Sequence, residues 1–165
     1  MLILLLACVV IGATTLLLAD RLGRWAFAVA AAPLVAVLGY VASRWSEIID
    51  GDPVTDRAVW VDGLDLALDV RVDGFSLLML LLVAGMGVVV MAYGAAYFGP
   101  GPTGARIAGL LLLFGASMLG LVTADNLIWL YACWELTSIT SYLLIGADQS
   151  RPEQRTAALQ ALLVT

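Results

Sequence analysis

The sequence predicts an all-α polytopic membrane protein: a bundle of about five transmembrane helices plus the start of a sixth, with a short extracytoplasmic β-hairpin. Three observations predict it. Apolar residues make up 62% of the chain, and the mean hydropathy of +1.01 lies well above the usual globular range. Residues 2–19, 25–43, 74–105 and 107–124 carry no charge, and 126–147 carries one. Each run is close to, or exceeds, the roughly 20 residues a helix needs to cross a bilayer. Between the second and third runs the pattern changes to strict alternation.

The first span, 2–19, reads as a retained helix. It lacks the basic n-region and small-residue cleavage site of a signal peptide, since Met1 runs straight into LILLLACVV. The second, 25–43, contains Pro33, which removes one backbone donor and is expected to kink the helix. The loop 45–73 follows. From Trp60 to Val72 it reads WVDGLDLALDVRV, with Leu64, Leu66, Leu68, Val70 and Val72 on one side of a period-two pattern. Asp62-Gly63 is a hairpin turn signal and Val59 to Val61 the first arm. The hairpin would either dock on a neighbouring subunit or cover its own helices.

The third span, 74–98, is thinned by Gly85, Gly87 and Gly94. The fourth, 107–124, carries Ala116 and Gly120 at a spacing suited to close helix contact. A tight turn leads to the fifth, 126–146, and either Asp125 or Asn126 would cap it. Pro152 suits the first turn of a further helix, 152–165, which reads as truncated at Thr165. The whole is expected to be the N-terminal part, 1–165, of one larger transmembrane domain.

Charge sets the expected orientation. All eight basic residues are arginine. With the N-terminus outside, Arg21, Arg24, Arg106, Arg151 and Arg155 fall inside, and Arg44, Arg57 and Arg71 fall outside. The excess of inner arginines favours an extracytoplasmic N-terminus and 45–73 loop. The net charge of −5 argues against nucleic-acid binding. There is no histidine and no CxxC, and Cys8 and Cys133 lie in apolar spans as small hydrophobes. No haem, iron–sulfur or zinc motif is present and no cofactor is expected. No cage of carboxylates and carbonyls for Na⁺ is recognisable, so a metal site stays unassigned.

Glu135 carries the functional signal. It lies inside NLIWLYACWELTSITSYLLIGA, residues 126–147, as the sole charge. Its place in the run puts the carboxyl near the membrane midplane, where an ionisable side chain costs about 2.5–3.5 kcal/mol. At 100° per residue, Tyr131, Ser138 and Tyr142 share its side of the helix. Two phenols and a hydroxyl beside a carboxyl would support a proton relay with intervening water. The same hydroxyls would also satisfy a buried structural acid, or bond carbonyls one turn back. No lysine exists, and the arginines sit at helix ends. Glu135 must then be protonated, hydrated or paired with a group outside these residues.

The run WELTSITSYLLIG, preceded by ADNLIWLY and followed by ALQALLVT, resembles the A subunit of Mrp-type multisubunit Na⁺/H⁺ antiporters. VDGFSLLMLLLV resembles the same family's segment after its outer hairpin. The likeness covers Asp73 to Thr165; residues 1–72 agree in layout. The family is related to the antiporter-like membrane subunits of respiratory complex I, whose Trp-Glu pair is usually followed by residues other than LTSITS. The loop ADQSRPEQ lacks the bulky aromatic residues often found there in relatives.

The resemblance implies a secondary transporter subunit rather than an enzyme. It would sit in the plasma membrane, in contact with lipid and with the other subunits of a hetero-oligomeric complex, and exchange Na⁺ for H⁺, with K⁺ or Li⁺ as further cations. It implies that Glu135 pairs with a lysine of a later helix in a proton pathway. The alternative is a proton-translocating subunit of an NADH:quinone oxidoreductase; a third reading is an assembly subunit with a vestigial acid.

Overall fold

A computed structural model describes residues 1–61, 66–99 and 101–147. The elements are α1 (Leu2–Leu17), α2 (Ala19–Leu22), a 3₁₀ turn (Gly23–Trp25), α3 (Ala26–Ile49), β1 (Val54–Val61), β2 (Leu66–Val72), α4 (Gly74–Tyr97), α5 (Pro102–Val122) and α6 (Leu127–Ile145). The expected turn at Asp62-Gly63 and the helix opening at 152–165 lie outside the described residues.

Four of these helices, α3, α4, α5 and α6, are long and apolar enough to cross a membrane. The first helix is shorter than the expected 2–19 span. It ends at Leu17 after 16 residues, which at 1.5 Å per residue gives about 24 Å. Leu18 takes φ −99 and ψ 21, and the chain restarts as α2 with the charged pair Asp20 and Arg21. α3 continues through Pro33, which is buried within it, and ends at Asp50 with Gly51 at φ +104, a conformation that favours glycine after a helix C-terminus.

Glycines decide which helices touch. A Cβ on Gly109 of α5 would stand 2.9 Å from the backbone nitrogen of Leu16 on α1. That is a direct backbone approach, the arrangement small residues permit in membranes. A Cβ on Gly87 of α4 would meet Leu34 of α3 at 2.8 Å, and one on Gly94 would overlap the Phe27 ring. Gly85 faces open space, so two of the three glycines of the third span serve packing. Around these contacts Leu34, Val37, Leu80, Met91, Leu112 and Leu119 form the core, each no more than 2% exposed.

The hairpin pairs Val54–Val61 antiparallel with Leu66–Val72. Its first arm begins earlier than the Val59 expected, because Thr55 and Arg57 continue the alternation. Val70 and Val72 are buried in the core of this chain's own helices, with Arg71 exposed between them. The hairpin therefore covers its own bundle. Met1, Asp56 and the turn after α5 meet at this end: the Met1 ammonium pairs with Asp56, and Val70 bridges Ala124. Arg21, the end of α4 and the start of α5 fall at the other end by helix order.

Two caps follow from sequence. Asp73 accepts a hydrogen bond from Ser76 N at 2.9 Å and starts α4. That N–H holds the Asp73 carboxyl below the usual carboxylate range. Pro102 occupies the first turn of α5, where its missing N–H costs nothing.

Candidate functional site

α6 is built around one narrow seam. Of its residues only Cys133 and Thr140 are buried. They are seven apart, two turns of helix, and so share one face. Cys133 fits over Gly120 of α5, where a Cβ would stand 2.7 Å from Sγ. The expected Ala116–Gly120 contact is thus made, with Ala116 3% exposed in the core.

This seam fixes where Glu135 points. Two residues past Cys133 is about 200° around the helix, so Glu135 faces away from α5. It is exposed among the described residues. Eight residues separate it from Leu127 and ten from Ile145, roughly 12 and 15 Å along the axis. Around it the same side of α6 exposes Tyr131 and Trp134 at 64% and 54%. α6 carries no other acidic or basic side chain.

The side chains grouped with Glu135 divide. Tyr131 stands one turn before Glu135 on the same exposed side of α6. Ser138 and Tyr142 are half-buried, and among the described residues neither hydrogen-bonds to it. The neighbouring threonines turn inward on the helix: Thr137 Oγ1 donates to Trp134 O at 2.6 Å, and Thr140 Oγ1 to Leu136 O at 2.6 Å. Those hydroxyls are satisfied locally and do not serve the carboxylate. Among the described residues no cluster of three acidic, cysteine or histidine side chains can hold a metal ion. An apolar groove of about 480 Å³ opens between α3 and α4, with Trp25, Phe27, Val88 and Met91 among its walls. It contains no ionisable side chain and no residue of α6.

The head of α6 holds a joint that sequence patterning alone missed. Asn126, rather than Asp125, is the cap: its Oδ1 accepts from Trp129 N at 2.7 Å. Its Nδ2 donates to Ala67 O at 2.8 Å and to Asp69 Oδ2 at 3.0 Å, both on β2. Arg57 pairs with Asp69 across the hairpin at 3.5 Å. The signal present in the sequence was an Asn at a turn opposite an alternating strand with inward-paired acids.

Over residues 59–102 the chain matches the family described as NADH-Ubiquinone oxidoreductase (complex I), chain 5 N-terminus. It is 37% identical over 135 residues to antiporter subunit mnhA2 of Staphylococcus saprophyticus, covering 81% of this chain and 17% of that protein. Its fold superposes on a chain of the Mrp complex from Dietzia sp. DQ12-45-1b with a TM-score of 0.79 and 34% identity, covering 98% of this chain and 17% of that one. Over its length the chain is similar to the N-terminal part of an Mrp antiporter A subunit. The complex I kinship is also close: this A-subunit-like chain is 34% identical over 170 residues to NADH-quinone oxidoreductase subunit L of Mycobacterium tuberculosis, covering 98% of this chain and 27% of that protein. The chain thus spans about a sixth to a quarter of the length of these relatives.

Proposed function

We propose that the protein to which these residues belong is a subunit of a multisubunit antiporter that exchanges Na⁺ for H⁺ across the plasma membrane, with K⁺ or Li⁺ as further cations. Residues 1–165 form the N-terminal part of one antiporter-like transmembrane domain, with the N-terminus and the 45–73 loop on the extracytoplasmic side. Glu135 is the intramembrane proton-carrying carboxylate. Tyr131 orients it, and Ser138 and Tyr142 line the same side for water.

The observation that carries this reading is the direction of Glu135. A mid-helix carboxyl with no cation in its own span, turned away from the α5 seam, supports a partner on another element. A cationic partner there would stabilise the carboxylate, and its withdrawal would favour protonation. Alternation between the two states moves one proton per cycle through the middle of the membrane. The other subunits of a hetero-oligomeric complex complete the path. Replacement of Glu135 by Gln in the complete complex, assayed for cation-induced collapse of a pH gradient in everted vesicles, tests it.

A second reading has its own support. The match to the complex I chain 5 family and the likeness to subunit L favour a proton-translocating subunit of an NADH:quinone oxidoreductase. Glu135 would then serve the same proton step with redox energy as input. Loss of exchange on cation addition but retention of NADH-driven proton uptake would select it.

A further inference from the structure

We infer that Asn126 is a positioning residue that sets the depth and rotation of Glu135 by locking the head of α6 to the β2 strand of the hairpin. This rests on the reading of Glu135 as the proton-carrying group.

Three facts carry it. First, the Asn126 amide is fully engaged. Oδ1 accepts from Trp129 N inside α6, and the two donors of Nδ2 go to Ala67 O and Asp69 Oδ2. One side chain therefore ends the helix and ties it to the hairpin. Second, the turn beside it is stitched into the sheet. Arg71 N donates to Thr123 O at 2.8 Å, and Asp125 N to Asp69 O at 2.9 Å. Asp69 is further held by Arg57, its register partner on β1. Hairpin, turn and helix head form one hydrogen-bonded body. Third, among the described residues α6 packs chiefly along α5 and against β2, with Cys133 and Thr140 as its buried residues, so the joint to β2 is its tie to the hairpin.

The consequence is mechanical. Glu135 lies nine residues below Asn126, about 13.5 Å down the axis. A slip of one residue at the head would carry Glu135 about 1.5 Å along the axis and swing it by 100°. Misplacement on that scale in a proton pathway costs up to about a hundredfold in rate. The hairpin is then a fixed point of the transport machinery and not merely a cover. Tyr131, one turn before Glu135 on the same side of the same helix, moves with it, so a shift of α6 changes what both face.

The test uses the complete complex. Asn126→Asp keeps an oxygen to cap α6 but replaces the two donors with a carboxylate facing Asp69. It should assemble, lower cation-dependent exchange per complex by about tenfold, and move the pH midpoint of exchange. Val70 and Ala124 form a non-hydrogen-bonded antiparallel pair, the geometry with the short Cα separation that a disulfide accepts. Val70→Cys with Ala124→Cys, oxidised in the Asn126→Asp background, should restore rate and midpoint, and reduction should abolish the recovery. Where Asn126→Asp assembles poorly, Asn126→Ser, which keeps the cap and loses one donor, is measured in its place.

The inference is overturned by a normal rate and midpoint per assembled complex, even with less complex present, or by a formed disulfide that restores nothing. The pH dependence with which a hydrophobic carbodiimide modifies Glu135 separates this inference from the antiporter reading. If that profile moves in Asn126→Asp while wild type shows no cation exchange, the joint positions Glu135 and the antiporter reading fails. An unmoved profile beside normal wild-type exchange rejects the joint alone.

Discussion

A Cβ on Gly120 would stand 2.7 Å from Sγ of Cys133, so α5 and α6 are as close at this point as a glycine permits. The same contact turns Glu135, 200° further round, away from the bundle. Gly120→Ala should therefore push the helices apart and destabilise the protein by about 1–3 kcal/mol. Gly120→Ala with Cys133→Ala should recover much of that loss, since the clashing sulfur is gone. Thermal unfolding of the detergent-solubilised protein reads both, and additive losses would contradict the direct contact.

Asp73 caps α4 through Ser76 N, which lowers its carboxyl pKa. A lowered folded-state pKa stabilises the fold above the unfolded value, and that contribution is lost as pH falls through the folded one. Asp73→Ala should cost about 1 kcal/mol at neutral pH. Asp73→Asn should keep the cap while removing this acid-dependent part. Unfolding midpoints of the three proteins at neutral and acid pH check the sign: wild type should lose its advantage over Asp73→Ala on acidification, and Asp73→Asn should hold its own.

The residues around Glu135 should rank by contact. Tyr131 lies one turn before Glu135 on the exposed side of α6, placed to reach the carboxyl without turning toward α5. Ser138 and Tyr142 share the side without bonding to it. Tyr131→Phe should slow exchange more than Ser138→Ala, which water can replace with a loss below about tenfold. Initial rates in vesicles at matched expression give the order, and equal losses would remove the special place of Tyr131.

The helices were legible because membrane spans are written in hydropathy: α4 to α6 each follow a charge-free or singly charged run, whereas α3 continues past Ser43 through Arg44 and Glu47 to Ile49. The end of α1 was not, because Leu17 and Leu18 are equally apolar and only backbone geometry separates them. Period two gave the β2 strand, whereas the early start of β1 was hidden behind the polar run DPVTDR. Hydrophobic patterning could not choose between a hairpin folded over its own helices and one docked elsewhere, since Val70 and Val72 are apolar either way; the Val70–Ala124 bridge decides it. Helical spacing put Tyr131, Ser138 and Tyr142 on the side of Glu135, but spacing does not say which of them bonds. Nor could it show Asn126 reaching Asp69, a contact 57 residues apart in the chain.

Glu135→Gln in the complete complex tests the central claim most directly. Gln keeps the size and the polarity of the side chain and cannot carry a proton. At matched amounts of assembled complex, Na⁺ added to everted vesicles should collapse the pH gradient with wild type and leave it standing with Glu135→Gln. Equal collapse in both would contradict the account, making Glu135 a structural acid and placing the proton path elsewhere.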